Sequence, residues 1–347
     1  MGAYIGCDAH KRYSIFVAMT DGGRAGSPVR VEHAREMYRA FLRGLPAGSL
    51  IAVETVGNWY WMIDEMERAG HEPKLAHAGK AKLMMGQINK TDKLDAKGLA
   101  TLLRNGTLPS VWIPPGELRD QRELSRMRMS LVRVRTMFKN RIHATLAKYE
   151  IVIDEVSDIF GVTGQKILAA HLEELPPYTR ESVLTQLAVL DDVAERIGSC
   201  EEEIKAIVKE TPEMQLLRTL PGVGPILAVV IALEIGDVER FPGPDRLASY
   251  AGTVPRVKSS GGKTSFGKVR PDVNRYLKWA LIEAANIINM NRAHSAGRHV
   301  VRLYLRVRER RGHAKAIVAV GRHLAEAAYW VLKKNAPYRE PISSNQE

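Results

Sequence analysis

The amino-acid sequence predicts an α/β domain over residues 1–112, followed by a mostly α-helical remainder. Short apolar runs of strand type alternate with amphipathic segments in the first region, whereas hydrophobic residues recur at three- and four-residue steps in the rest of the chain. The proline-rich stretch LPSVWIPPG, at residues 108–116, separates the two patterns. With 347 residues and 45% hydrophobic content, the chain is long enough for two or three domains with their own cores.

The elements of the first region follow from local pattern. Runs such as YIGC and LIAV are apolar and bounded by turn or acidic residues, as in short buried strands, whereas helices are predicted where apolar residues recur with helical spacing. The predicted strands cover residues 4–7, 14–19, 29–31, 50–53 and 73–76, and the predicted helices cover residues 34–45, 59–69 and 92–103.

Four acidic residues lie where a metal-binding core would place them. Asp8 and Glu54 each follow an apolar strand run, so their carboxylates are expected at the end of a strand rather than in its middle. Asp92 and Asp95 fall on one face of the first turn of the helix predicted at 92–103. Acids at a helix N-terminus also complement the helix dipole, so this pair by itself is also explained as a cap. The order of strand acid, hairpin, strand acid and helix acids resembles an RNase H-like or RuvC-like nuclease fold.

Charge and composition indicate a nucleic-acid partner. The chain has a formal net charge of +12 and a pI of about 9.6, which favours a polyanion. A membrane partner is disfavoured because no segment offers about eighteen uninterrupted apolar residues. No secretory signal precedes the first strand, which predicts a cytoplasmic protein. The two cysteines, Cys7 and Cys200, provide no zinc ligand set.

Two long amphipathic helices are predicted in the middle of the chain. An apolar stripe runs through residues 124–149 on a helix whose other faces are strongly basic, and a second stripe runs through residues 183–207 on an acidic background. Such stripes predict an antiparallel coiled coil or a dimer arm. Arg126, Arg133 and Lys139 are candidates for contacts with a phosphate backbone, although a solvated basic face explains the pattern equally well.

The sequence LPGVGP predicts a tight turn between two helices. Its Gly222 and Gly224 would direct backbone N–H groups outward, where a phosphate can accept their hydrogen bonds, as in a helix-hairpin-helix motif. The alternative is structural, since glycine also lets two helices approach closely. Further helices are predicted beyond this turn, at residues 273–289, 300–311 and 314–333.

Ser259 and Ser260 precede two glycines in the segment PRVKSSGGKTSFGKVR. A hydroxyl nucleophile needs steric access, which glycine provides, and charge stabilisation of a phosphoryl transition state, which arginine and lysine provide. No general base is visible nearby in the sequence, and a Ser-Gly turn is also explained as an ordinary loop. The cations around this turn, all candidates for nucleic-acid binding, are Arg256, Lys258, Lys263, Lys268, Arg270 and Arg275.

Five motifs in one fixed order resemble those of a known family. They are IGCDAHK, VETVGNWY, NKTDKLDAKGLA, LPGVGP and AGTVPRVKSSGG. Together they span nearly the whole chain and are similar to those of the DEDD transposases of bacterial insertion sequences, the insertion sequence 110 family, also described as bridge-RNA-guided recombinases. The resemblance implies a RuvC-like DEDD domain, a helical coiled-coil middle, and a mostly α serine transposase domain with a helix-hairpin-helix-like motif. The implied boundaries are residues 1–112, 116–210 and 211–335, with a tail at 336–347.

The resemblance also implies a site and a reaction. Asp8, Glu54, Asp92 and Asp95 would bind Mg²⁺, or Mn²⁺ in its place. Ser260, which stands directly before glycine after a Pro-Arg pair, would form a covalent phosphoserine link to cleaved DNA. The implied reaction is strand exchange between donor and target DNA, guided by a noncoding bridge RNA. The implied assembly is a cytoplasmic, nucleoid-associated homodimer or homotetramer in which the acids and metal of one subunit complete the serine site of another.

Two other classes of protein are compatible with the same residues. A metal-dependent, structure-specific endonuclease of RuvC-like type would use the four acids for hydrolysis, and Ser260→Ala would then retain cleavage. A non-catalytic nucleic-acid-binding protein would use the acids structurally, and Asp8→Asn and Asp95→Asn would then change neither cutting nor joining. Neither class explains the Ser-Gly segment in its Pro-Arg context.

Overall fold

The computed structural model describes residues 3–86, 91–207, 211–269 and 271–341. The chain folds as two compact units, Met1–Gly116 and Glu117–Glu347. The first unit is a mixed α/β domain and the second is mostly helical, as the sequence predicts. The further division of the second unit at residue 210 stays a prediction. Among the residues described, no helix combines the length and apolarity that crossing a membrane requires.

The first unit contains every strand and helix predicted for residues 4–103, with ends within two residues of the predicted ones. Two elements were not predicted, because AGKAKLMM shows no helical stripe and the last strand has only two residues. In chain order the elements are β1 (Tyr4–Ala9), β2 (Tyr13–Met19), β3 (Val29–Glu32), α1 (Arg35–Arg43), β4 (Leu50–Glu54), α2 (Trp59–Arg68), β5 (Glu72–Ala76), α3 (Ala78–Met85), α4 (Asp92–Arg104) and β6 (Ser110–Val111).

The strands of the first unit form one sheet in the order β3-β2-β1-β4-β5-β6. Strands β1, β4 and β5 run parallel, whereas β2 runs antiparallel to both of its neighbours and β6 runs antiparallel to β5. In the parallel register Cys7 lies beside Val53. Because Asp8 and Glu54 come next in these two strands, both acids reach the same edge of the sheet.

The two faces of the sheet are covered by different helices. Ile5 and Cys7 of β1 point into a core shared with α1 and α2, in which Tyr38 is fully buried. Gly6 lies on the opposite face, which α4 covers. Asp8, two residues further along the strand, points to the same side as Gly6 and therefore toward the start of α4.

Gly6 permits a close approach between β1 and α4. A Cβ atom at position 6 would lie 1.8 Å from the carbonyl oxygen of Ala96 and 2.7 Å from the amide nitrogen of Ala100. No side chain can occupy that space, so the backbone of α4 lies directly on the strand. Thr91 caps α4, because its hydroxyl accepts a hydrogen bond from the amide nitrogen of Leu94 at 3.3 Å. The first turn of α4 is thereby held beside the end of β1.

The described part of the second unit consists of helices and one β-hairpin. The helices predicted at residues 273–289, 300–311 and 314–333 are confirmed. In chain order the elements are α5 (Gly116–Lys148), α6 (Val162–His171), α7 (Pro177–Ile207), α8 (Pro212–Leu217), α9 (Pro225–Ile235), α10 (Pro244–Tyr250), β7 (Pro255–Ser260), β8 (Lys263–Val269), α11 (Arg275–Met290), α12 (His299–Arg311) and α13 (His313–Lys333).

Helices α5 and α7 pack against each other in antiparallel orientation within one chain. Ile142 and Leu146, near the end of α5, share a buried apolar cluster with Val183, near the start of α7. Toward the other end, Arg128 of α5 donates a hydrogen bond to Glu201 of α7 at 2.6 Å. The two predicted apolar stripes therefore meet within the molecule. The coiled-coil assignment stays a prediction, since it requires knobs-into-holes packing along the full length.

A buried carboxylate joins three helices of the second unit. Glu234 of α9 is 0% exposed, and Arg126 of α5 donates to both of its oxygens, at 2.8 and 3.0 Å. Asn274, which caps α11, donates to the same carboxylate at 2.8 Å. Arg122 lies 3.7 Å from it and donates to the carbonyl oxygens of Leu233 and Glu234. Because a buried charge needs a full set of partners, this network fixes α5, α9 and α11 relative to one another.

Gly6→Ala is expected to destabilise the protein by about 2 kcal/mol or more, because the new Cβ must displace the backbone of α4. The measurement is the urea unfolding midpoint of the full-length protein. Gly57→Ala is the matched control, since a Cβ at position 57 meets no atom within 4 Å and the φ of Gly57 is not positive. Equal midpoints for the two variants would show that α4 does not rest on β1 at Gly6.

Glu234→Ala is expected to destabilise the protein by about 3–5 kcal/mol, because it removes the buried carboxylate that pairs with both Arg122 and Arg126. Glu201→Ala removes the partly exposed partner of Arg128 and is expected to change stability by about 1 kcal/mol or less. Chemical denaturation of both variants measures the contrast. A loss at Glu234 no larger than the loss at Glu201 would contradict the structural role of the buried network.

Candidate functional site

The predicted acids of the first unit lie on three elements, β1, β4 and α4. Asp8 is near the end of β1, Glu54 is the last residue of β4, and Asp92 and Asp95 occupy the first turn of α4. This placement follows from two local causes: the parallel register of β1 and β4, and the contact of α4 with β1 at Gly6. The acids therefore come from separate rigid elements.

A histidine that the sequence argument did not assign completes this cluster. His10 Nε2 lies 3.2 Å from Asp8 Oδ2 and 3.0 Å from Asp92 Oδ2. Among the described side chains, Asp8, His10 and Asp92 bring three potential ligand atoms within 4.8 Å of one another, a spacing that can hold a metal ion. The sequence feature that indicates His10 is the spacing Asp-x-His in the motif IGCDAHK, which puts both side chains on the same side of an extended chain.

The nitrogen between the two carboxylates is buried but makes no hydrogen bond. Both oxygen atoms lie within ion-pair distance of His10 Nε2, yet neither contact has hydrogen-bond geometry. The two contacts are therefore electrostatic contacts rather than hydrogen bonds. Such an arrangement leaves room for a cation that all three groups could contact.

Aromatic and polar neighbours hold the cluster in place. Tyr13 donates a hydrogen bond through its hydroxyl to Asp92 Oδ2 at 3.1 Å, and its ring centroid lies 4.6 Å from that of His10. The Arg30 guanidinium lies 3.8 Å above the Tyr13 ring. Asn58 Nδ2 donates to the carbonyl oxygen of His10 at 3.0 Å. The hydrogen bond to Asp92 is the main reason why the pKa of Tyr13 is raised.

Asp8 is the carboxyl group most affected by this environment. Burial raises its pKa; nearby His10 opposes the shift, and the negative charges of Asp95 and Asp92 add to it. Asp95 is therefore close enough to act on Asp8 electrostatically. Glu54 shares the strand edge with Asp8, and a metal-binding role for Glu54 stays a prediction. A group of carboxylates that repel one another favours binding of a divalent cation.

The predicted nucleophile lies in the second unit, at the tip of the β7–β8 hairpin. Ser260 and Lys263 form the last pair before a two-residue turn, in which Gly261 and Gly262 have φ values of 55° and 75°. Positive φ at both positions is the geometry that favours glycine in a tight hairpin. Ser260 is exposed, and a Cβ at either glycine would meet no atom within 4 Å. The hydroxyl of Ser260 is therefore sterically accessible.

Ser259 differs from Ser260 in its surroundings. The Ser259 hydroxyl lies 3.3 Å from the hydroxyl of Thr264, its cross-strand partner, at hydrogen-bonding distance. Successive residues of a strand point to opposite faces, so the two serines lie on different sides of the hairpin. The predicted cations of this region that the structure describes are exposed, and Arg270 lies outside the described residues. They are Arg256, Lys258, Lys263, Lys268 and Arg275.

Gly222 is explained by packing. It has a φ of 74°, and a Cβ at this position would lie 2.3 Å from the carbonyl oxygen of Ala284 in α11. The structural alternative considered for the LPGVGP turn therefore accounts for Gly222. Gly224 precedes α9 and faces open space, so a backbone contact with phosphate at Gly224 stays a prediction.

Arg122, Arg126 and Arg128, in the first half of α5, form hydrogen bonds within the second unit. Arg119 and Arg122 are buried, and Arg126 is 19% exposed, pairs with Glu234 and lies 4.5 Å over the ring of Tyr276. The charge of Arg126 is thus matched within the fold, which weakens the sequence argument for a phosphate contact at this position.

The second half of α5 keeps more of its charge at the surface. Arg133 is exposed. Lys139 lies 3.7 Å from Asp158 and 4.6 Å over the ring of Phe160, an arrangement that leaves a third of its side chain exposed. Phosphate contacts at Arg133 and Lys139 stay predictions.

Two family models match separate segments of the chain. The model described as "Transposase IS116/IS110/IS902 family" matches residues 214–301, a segment that contains Ser260. A second model, described as "Transposase" and representing DEDD proteins of the IS110 type, matches residues 5–151, a segment that contains all four predicted acids.

Curated relatives are similar to the chain over most of its length. It is 28% identical over 251 residues to "Transposase for insertion sequence element IS1111A" of Coxiella burnetii, covering 72% of this chain and 69% of the relative. It is 27% identical over 258 residues to "Probable family 20 transposase" of Pseudomonas aeruginosa, covering 73% and 75%. It is 25% identical over 310 residues to "Pilin gene-inverting protein" of Moraxella bovis, covering 84% and 82%. With both family models matched in chain order, the chain belongs to the IS116/IS110/IS902 family of insertion-sequence transposases.

Proposed function

We propose that this transposase cleaves and exchanges DNA strands through a covalent phosphoserine intermediate, under the guidance of a noncoding bridge RNA. The observation that carries the proposal is that one chain holds two groups of residues suited to phosphodiester chemistry. The first unit has the cluster of Asp8, His10 and Asp92, and the second has the exposed Ser260 on its diglycine turn. Hydrolysis needs only a metal cluster, whereas a serine ester keeps the phosphodiester bond energy while strands change partners.

We assign the first unit to the RuvC-like, RNase H-like class. The supporting observation is the strand order β3-β2-β1-β4-β5, in which β2 alone runs against the other four strands. Asp8 and Glu54 at the ends of adjacent parallel strands, with acids at the start of the helix that covers them, agree with this class.

Ser260 is the proposed nucleophile. Its Oγ forms a bond to phosphorus while the bond from phosphorus to a deoxyribose oxygen breaks; the serine proton is lost to solvent and the departing oxygen gains a proton. One phosphate ester replaces another, so the hydroxyl of a new strand can reverse the step and release Ser260. Exposed Lys258 and Lys263 on the same hairpin are suited to stabilise the charge on the phosphate.

Asp8 and Asp92, with His10 between them, are residues that would hold the metal, and Glu54 and Asp95 are proposed as further ligands. The fit is supported by the buried nitrogen of His10, which has no hydrogen bond, and by the raised pKa of Asp8. A bound cation would give the nitrogen a partner and would lower the pKa of the carboxyl group. A bound Mg²⁺ would stabilise negative charge on the phosphoryl oxygens of the reacting strand. Tyr13 orients Asp92 through its hydrogen bond.

Nucleic-acid partners are proposed from charge. The net charge of +12 and the exposed cations of the hairpin favour binding of donor DNA, target DNA and a guide RNA.

The same proposal includes a homodimer or homotetramer, in which the acids of one subunit serve the serine of another. It also includes a cytoplasmic, nucleoid-associated location. They are supported by the sequence resemblance. The similarity to a protein named for gene inversion also favours strand exchange over simple cutting.

Ser260→Ala is expected to abolish a covalent protein–DNA adduct, because it removes the hydroxyl that attacks phosphorus. Ser259→Ala is the matched control and is expected to keep the adduct, since its hydroxyl faces Thr264 instead. The measurement is a denaturing gel after the protein, co-expressed with RNA from its flanking DNA, is mixed with junction and target DNA and Mg²⁺. Asp95→Ala tests the acid cluster in the same experiment.

Cut DNA ends without any adduct in the wild-type protein, still lost in Asp95→Ala, would overturn the phosphoserine mechanism. That result would establish the alternative, a metal-dependent endonuclease that acts by hydrolysis. The alternative is favoured by one observation, namely that the acid cluster is built entirely from elements of the first unit.

Asp8→Asn is expected to raise the melting temperature of the metal-free protein by about 2 °C at neutral pH. The pKa of Asp8 is raised in the folded state, so the folded protein binds this proton more tightly than the unfolded chain does. The ionised carboxylate therefore destabilises the fold at neutral pH, and this effect disappears as the pH falls through the raised pKa. Melting curves in EDTA between about pH 7 and pH 4 measure the difference. Asp21→Asn, in an exposed turn, is the control; a lower melting temperature for Asp8→Asn would contradict the expectation.

A further inference from the structure

We propose that His10 is a direct ligand of the divalent metal in the acid cluster, and that its nitrogen makes the site prefer Mn²⁺ over Mg²⁺. The proposal rests on the proposed function only in that a metal binds beside Asp8 and Asp92. The ligands that the family resemblance implies are the four carboxylates of Asp8, Glu54, Asp92 and Asp95. The role of His10 therefore follows from the geometry of this chain.

The spacing of the ligand atoms is the first argument. His10 Nε2 is 3.2 Å from Asp8 Oδ2 and 3.0 Å from Asp92 Oδ2. Neighbouring ligands of an octahedral ion with bonds of about 2.1 Å lie about 3 Å apart. The nitrogen therefore has the separation from each oxygen that two adjacent ligands of one ion have.

The unsatisfied nitrogen is the second argument. His10 Nε2 is buried, and it has no hydrogen bond within the described structure, although two acceptors are close. A buried polar atom without a partner is unfavourable. A neutral imidazole can offer the lone pair of Nε2 to a metal, and the same ion would contact both carboxylates.

The orientation of the ring is the third argument. The ring of His10 lies against that of Tyr13, with 4.6 Å between centroids and an angle of 33° between planes. Asn58 fixes the backbone through its hydrogen bond to the carbonyl oxygen of His10. The hydroxyl of Tyr13 holds Asp92 as well. Because the same tyrosine contacts a nitrogen donor and an oxygen donor, the two ligands are positioned together.

The competing explanation is that His10 is a counter-ion. A protonated imidazole would neutralise Asp8 and Asp92 without metal, and a metal would then have to displace it. The two explanations predict opposite effects of removing the ring. Loss of a ligand weakens metal binding, whereas loss of a competing positive charge strengthens it.

The nitrogen also determines which metal fits best. Mg²⁺ strongly prefers oxygen ligands, whereas Mn²⁺ accepts imidazole nitrogen alongside carboxylates. His10→Asn removes the nitrogen donor, because the amide of asparagine ends about where Nδ1 lies in histidine and does not reach the position of Nε2. This variant should therefore lose preference for Mn²⁺ more than it loses the ability to bind Mg²⁺.

The experiment is a Mn²⁺ titration of the full-length protein followed by electron paramagnetic resonance, with pulsed measurements of nitrogen coupling. Wild-type protein is expected to show coupling from one histidine nitrogen. In His10→Asn this coupling is expected to disappear, the Kd for Mn²⁺ to rise about tenfold, and the Kd for Mg²⁺, from competition, to change by about threefold or less. His143→Asn, a histidine variant of the second unit, is the matched control and should behave as wild type.

Absence of nitrogen coupling in the wild-type protein would overturn the proposal, as would unchanged or tighter Mn²⁺ binding in His10→Asn. Circular dichroism confirms that the variant is folded. If the variant is not folded, the measurement is made instead on wild-type protein whose histidines carry a heavier nitrogen isotope. The nitrogen coupling pattern must then change if histidine is a ligand. The outcome is separate from that of the adduct assay: a wild-type protein that binds Mn²⁺ through nitrogen but forms no adduct would refute the phosphoserine mechanism and leave the ligand assignment intact.

Discussion

The contact between the backbone of α4 and strand β1 at Gly6 is the constraint on which the first unit depends. Because position 6 has no side chain, the helix lies directly on the strand, with the Ala96 carbonyl group in the space that a Cβ would fill. The helix therefore delivers Asp92 to the strand end, where Asp8 and His10 are. The position of α4 on the sheet, and with it the contact of Asp92 with His10, thus follows from this approach.

Buried carboxylates occur in this protein in two electrostatic states. Glu65 receives a hydrogen bond from Arg39, which lowers the pKa of Glu65, and Glu234 is likewise surrounded by donors from Arg126 and Asn274. Asp8 has the opposite environment, since its burial and its acidic neighbours raise its pKa. Arginine side chains pair with Glu65 and Glu234, whereas Asp8 lies among other acids, an environment that favours a cation. This contrast separates structural acids from the candidate site without reference to any relative.

Local pattern was sufficient to predict the strands and helices of the first unit, because each has its own periodicity and boundary residues. It also placed Asp8, Glu54, Asp92 and Asp95 correctly on their elements. The contacts between distant residues could not be predicted this way. His10 meets Asp92 across the strand and helix, and Arg126 meets Glu234 across 108 positions. The sequence shows the charge of such a residue but not whether a partner within the fold already uses it.

The diglycine hairpin has a further consequence for the positions of Ser259 and Ser260. The turn fixes which residue pairs with Lys263, and that residue is Ser260 rather than Ser259. A strand side chain changes face with every one-residue shift in register. The length of this loop therefore determines which of the two serines lies on which face of the hairpin, and an insertion or deletion of one residue would exchange the faces of Ser259 and Ser260 without altering either side chain.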